Sequence, residues 1–108
     1  MADDAARLLE LLQAMATGDA GAITDFVEEY EERQRASGLD ARSYAVARLA
    51  ALVAIGGPDT SFQFMVPMAR DQGLSPDDIF GVLVALMPVV GTPRIIEAAP
   101  HVVKALAG

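Results

Sequence analysis

Residues 75–91 constrain the fold of this chain more than any other segment. Ser75 offers a capping hydroxyl. Pro76 has the φ angle of a first helical residue and lacks the N–H which that position leaves unused. Asp77 and Asp78 put negative charge at the positive end of the helix. Ten of the fifteen residues that follow from Pro76 are apolar, and at 3.6 residues per turn they wrap around the whole cylinder. A helix greasy on every side must be covered on every side. A bilayer is a poor cover. The greasy stretch is the 13 residues 79–91 and contains Pro88, whereas a span takes about 20 apolar residues. The cover is therefore other protein, which predicts a helical bundle.

The rest of the chain reads the same way. No segment alternates apolar and polar residues between hairpin turns, so no sheet is expected. Six helical stretches follow from their starts and stops. The first, 3–17, carries Leu8, Leu9, Leu11, Leu12 and Met15 and ends at Gly18. The second, 19–37, buries Ile23, Phe26, Val27 and Tyr30 and ends at Gly38. Its acidic run from Asp25 to Glu32 reads as a solvated face. Asp40 caps the third, Ala41–Ile55, whose apolar members are Ala45, Leu49, Leu52, Val53 and Ile55; Gly56-Gly57-Pro58 breaks it. Asp59 or Thr60 caps the fourth, which reaches Gln72 with Pro67 as an expected kink. The fifth runs to Val90. Thr92-Pro93 repeats the cap-and-proline start for a sixth, which reaches Ala107 with a kink near Pro100. Links of two to four residues predict antiparallel neighbours in one compact six-helix domain over 1–108.

Composition removes whole classes of chemistry. With no cysteine the chain has no disulfide, thiolate metal site or cysteine nucleophile, and its single histidine excludes a multi-histidine metal site. A net charge of −7 with 8 basic residues and no basic block argues against a nucleic-acid partner. The acidic start Met1-Ala2-Asp3-Asp4 has no leader pattern, so a soluble cytoplasmic protein without a membrane partner is expected.

Residues 38–99 resemble the carboxymuconolactone decarboxylase family, which includes the alkylhydroperoxidase D-like proteins. The likeness rests on Gly38-Leu39-Asp40-Ala41-Arg42 opening an Ala/Leu/Val helix, a glycine break, and Ala69-Arg70-Asp71-Gln72-Gly73-Leu74-Ser75-Pro76-Asp77-Asp78-Ile79. The greasy helix and Gly91-Thr92-Pro93 with Ile95, Ile96 and Ala98 complete it. The resemblance implies an all-α bundle of the alkylhydroperoxidase D-like type and a homo-oligomer, a trimer or a hexamer. It also implies a Cys-x-x-Cys and histidine at the start of the fourth helix. With the register set on Gly73, those positions hold Pro58, Ser61 and Met65, and the acidic residue expected early in the third helix falls near Ala45. Neither peroxide reduction nor histidine-based decarboxylation is available from these residues. No cofactor is expected. Only another ionisable pair, buried and touching, at the same place would restore reactivity.

What remains there is a polar rim on an apolar lining. Thr60, Ser61 and Gln63 with Asp59 suit a helix cap and first turn, and equally the mouth of a pocket. Phe62, Phe64, Met65, Met68 and Phe80 suit a core, a subunit interface or a hydrophobic ligand. Tyr44, Arg42 and Arg48 offer contacts to an anionic substrate; Arg48 interrupts an apolar run and should meet Asp71 or Asp59, or reach water. His101 should pair with Glu97 four residues earlier, as a surface ion pair. The ligand-binding set expected is Tyr44, Arg48, Thr60, Ser61, Gln63, Phe64 and Met65. Three functions follow: a non-redox protein binding a hydrophobic small molecule in an apolar cleft, a cyclase, isomerase or lyase in that cleft, or an assembly protein. An enclosed cavity of about 300 Å³ lined by Tyr44, Arg48, Ser61 and Gln63 would favour the enzyme.

Overall fold

The computed structural model describes residues 6, 9, 10, 12, 13, 16 and 20–108, with side chains for the first six and for 28, 29 and 31–108. The structure is all-α; no strand occurs among the described residues. Five helices are described: α1 (Ala20–Ser37), α2 (Ala41–Ile55), α3 (Asp59–Asp71), α4 (Pro76–Val90) and α5 (Thr92–Ala107). The expected helix over 3–17 lies for the most part outside the described residues. The chain forms two compact units, Met1–Gly38 and Leu39–Gly108. In the first, α1 exposes Glu28, Glu31 and Glu32, and Arg33 lies 4.0 Å from Glu29 one turn earlier. The side chains of Ile23, Phe26, Val27 and Tyr30, its expected apolar face, lie outside the described residues.

In the second unit the helices pack as a closed ring, α2 on α3, α3 on α5, α5 on α4 and α4 on α2, with the broadest contact between α3 and α5. The core is Ala45, Leu49, Leu52 and Val53 of α2, Phe62, Val66 and Ala69 of α3, Leu74 of the following turn, Ile79, Val82 and Leu83 of α4, and Ile95, Ala98, Val102 and Ala105 of α5. Caps set the boundaries. Ser43 donates its backbone N–H to Asp40 Oδ1 at 2.7 Å, and Gly56 turns left-handed at φ 71° so that Gly56 and Gly57 can donate back to Val53 and Leu52. At the start of α4, Ser75 and Asp78 bond reciprocally, Asp78 N to Ser75 Oγ at 3.1 Å and Ser75 N to Asp78 Oδ2 at 2.9 Å.

Several expectations are refined by the structure. Pro58, not Asp59 or Thr60, occupies the cap position of α3, and α3 has no side-chain cap. Gly91, not Thr92, precedes α5. The prolines expected to kink their helices do not interrupt them, since α3 continues through Pro67 and α5 through Pro100. Finally, α4 buries only Ile79, Val82 and Leu83, leaving Phe80 at 67% exposure with Val84 and Met87 also open, and Ile55 of α2 is exposed rather than core.

Candidate functional site

The start of α3, to which the family resemblance assigns the missing cysteine pair and histidine, is not chemically empty. Asp59 turns away from its own helix end toward α5. Its Oδ1 accepts from His101 Nδ1 at 2.7 Å and its Oδ2 from Lys104 Nζ at 3.0 Å. Gln63, one turn along α3, donates its amide N–H to both Asp59 Oδ1 and the His101 carbonyl, each at 3.2 Å. The buried Phe62 ring lies against the imidazole, centroids 5.2 Å apart and planes 14° apart. His101 and Lys104 are three residues apart and so share a face of α5, which lets one carboxylate serve both. These bonds, His101 first and Lys104 second, hold the Asp59 carboxyl below the usual carboxylate range. Asp59 and His101 are each about one-third exposed, at 35% and 32%. The touching ionisable pair therefore exists, though half-buried. His101 does not pair with Glu97, which lies 3.9 Å from Arg94 instead. A carboxylate 42 residues away in sequence has displaced the local partner.

The apolar part of the site lies between α2 and α3. Arg48, Ala51, Leu52, Ile55 and Met65 line an open groove of about 280 Å³. Arg48 meets neither Asp71 nor Asp59. Its Nη1 donates to Tyr44 Oη at 3.1 Å, and its guanidinium carbon stands 5.4 Å from the centroid of the Tyr44 ring. Tyr44 is otherwise buried in α2. The groove thus takes in two of the seven expected ligand residues, Arg48 and Met65, with Tyr44 behind Arg48. Gln63 belongs to the Asp59 cluster. Thr60 is exposed, and Ser61 and Phe64 are half-buried outside this lining. Phe62 is core and Phe80 is exposed, so neither lines the groove. A second open groove of about 300 Å³ runs between α2 and α4 along Val46, Ala50, Gly81 and Ala85.

Arg42 has a structural task. Its two terminal nitrogens grip both oxygens of Asp78 at 2.8 Å, and Nη1 also donates to the Gly73 carbonyl at 3.1 Å. That grip, with the Ser75 bonds, holds the Asp78 carboxyl far below the usual range, and raises the Arg42 pKa in turn.

The family model for the carboxymuconolactone decarboxylases matches residues 21–105. The chain belongs to that family. No curated protein matches it, and no solved structure does. As a family member it departs at the reactive positions, since these 108 residues hold no cysteine. Among the described residues, no group of three or more metal-ligating side chains occurs, and no helix is long and apolar enough to cross a membrane. The sequence pointed to His101 but not to Asp59 or Lys104 as its neighbours. The legible signal was the His-x-x-Lys spacing on one helix face opposite an acid at a helix start.

Proposed function

We propose that this carboxymuconolactone decarboxylase-family chain is a non-redox member that binds a hydrophobic small molecule in the groove between α2 and α3. The observation that carries this reading is the lining itself: Ala51, Leu52, Ile55 and Met65 form an apolar floor and mouth with one guanidinium, Arg48, at the edge. Methionine adapts to irregular apolar shapes, and one positioned charge suits an amphiphile with an anionic end. The groove is open, and Tyr44 and Arg48 engage each other, so binding is favoured here over catalysis by those groups. The test is fluorescence titration with 1-anilinonaphthalene-8-sulfonate, an apolar ring system bearing one anion. Saturable binding that weakens about tenfold in Ala51→Phe, which fills the groove, supports the reading. Equal affinity in both proteins refutes it.

A second reading, homo-oligomeric assembly, is supported by Phe80, Val84 and Met87. Spaced four and three residues apart, they form an exposed apolar stripe on α4. The family resemblance favours a trimer or hexamer, and a strict monomer by light scattering would count against assembly. The family match spans 21–105, which supports treating 1–108 as a single domain.

A further inference from the structure

We propose that Asp59 and His101 form a general-base site, in which Nε2 of the imidazole takes a proton from a small carbon acid. The site is separate from the α2–α3 groove and does not depend on it.

The argument begins with what a carboxylate can do. An ionised carboxylate only accepts hydrogen bonds. Three donors converge on Asp59, from His101, Lys104 and Gln63, which is the arrangement that keeps it ionised. The 2.7 Å contact therefore requires the His101 proton on Nδ1. In the neutral ring, a proton on Nδ1 leaves the lone pair on Nε2, the nitrogen that can act as base. No side-chain hydrogen bond of His101 other than that to Asp59 occurs among the described residues. The ring is also fixed in plane. Phe62 stacks against one face, and Gln63 ties the carboxylate to the backbone carbonyl of His101 itself. A carboxylate that sets the tautomer and a neighbour that sets the ring plane are the two requirements of an oriented imidazole base. The His101 side chain is about one-third exposed.

Lys104 narrows the substrate class. It is 68% exposed and gives one N–H to Asp59, and its positive charge beside the pair favours a substrate that becomes negative as it loses its proton. A carbon acid whose conjugate base carries its charge on oxygen matches this. Here His101 is the catalytic residue, and Asp59 is a positioning residue that acts through it.

The probe is 5-nitrobenzisoxazole. Nε2 takes its C3 proton, the C–H electron pair closes the nitrile, and the N–O bond breaks with its pair retained on the phenolate oxygen. The proton then passes to water, and no oxidant or reductant is needed. Because the chain has one histidine and no cysteine, the signal has one imidazole source. The wild-type protein should exceed an equal concentration of 4-methylimidazole by about tenfold or more at the same pH. His101→Gln should fall to the buffer rate. Asp59→Asn should lose about tenfold or more and shift the imidazole ¹⁵N resonances away from the Nδ1–H pattern, which a purely structural role would leave unchanged. The wild-type rate and the wild-type ¹⁵N spectrum need no substitution, so they decide the matter even where a variant does not fold. A wild-type rate equal to that of free 4-methylimidazole, an Nε2–H tautomer, or an undiminished rate in His101→Gln overturns the proposal.

Discussion

Phe62→Ala tests whether the ring beneath His101 is core first and site second. Phe62 is 1% exposed and lies among the fully buried side chains with Leu49, Val53 and Val66. Truncation removes a whole aromatic ring from a packed interior and leaves a cavity, which costs about 3–5 kcal/mol. A domain of this size has a stability of about 5–15 kcal/mol, so the loss is a large fraction of the total. In urea, with a slope of about 1.5 kcal/mol per molar, the midpoint should fall by about 2–3 M with the slope unchanged. Phe62→Leu separates the two roles. It keeps most of the volume, should cost under about 1.5 kcal/mol, and removes only the stacked face from the imidazole. The reasoning fails if Phe62→Ala shifts the midpoint no more than Phe62→Leu, because the α3–α5 seam would then be loose enough to close over the gap.

Two further predictions concern the caps and turns. Asp78 is more acidic in the folded chain than the value of about 3.9 for an unfolded aspartate. Its stabilisation is complete above that value and is lost as the pH falls toward the folded-state value. The Tm difference between wild type and Asp78→Asn should therefore be constant near neutrality and shrink in strongly acidic solution; a difference that grows on acidification would reverse the assignment. Gly56 and Gly81 should respond oppositely to alanine. At φ 71° Gly56→Ala should cost about 1–2 kcal/mol, with the added methyl also displacing the Arg94 guanidinium. Gly81 lies within α4 with open space around it, so Gly81→Ala should gain about 0.5–1 kcal/mol. Parallel thermal melts compare them, and equal signs would refute the reading.

What the sequence made legible was local. Ala41–Ile55 and Pro76–Val90 were read with their observed boundaries, because Asp40, Gly56 and Ser75 act on residues within five positions of themselves. The start of α3 was misread for the complementary reason. Asp59 has the chemistry of a cap, but α5 offers it an ammonium and an imidazole, and that offer comes from more than forty residues away. Arg48 was expected to meet a carboxylate or reach water, and it donates to the tyrosine one turn before it. Spacing ranks partners along one helix and says nothing of which neighbouring helix delivers a better one. The uniform greasiness of α4 likewise set how much surface needs cover, not what covers Phe80, Val84 and Met87. The family likeness was legible from turns and caps, and the family match over residues 21–105 bears it out; the register set on Gly73 pointed to the start of α3 as the place of the missing residues. It could not anticipate an imidazole arriving at that helix start from α5.

The Arg42 fork joins three parts of the chain that each have their own local hydrogen bonds: the opening turn of α2, the carbonyl of Gly73, and the acid that completes the Ser75 cap. Those parts consequently cannot loosen one at a time. Neutralising this guanidinium would unlatch the corner as a unit, so amide protons at 73–79 should begin to exchange together, at one common rate, while those at the far end of α4 stay protected.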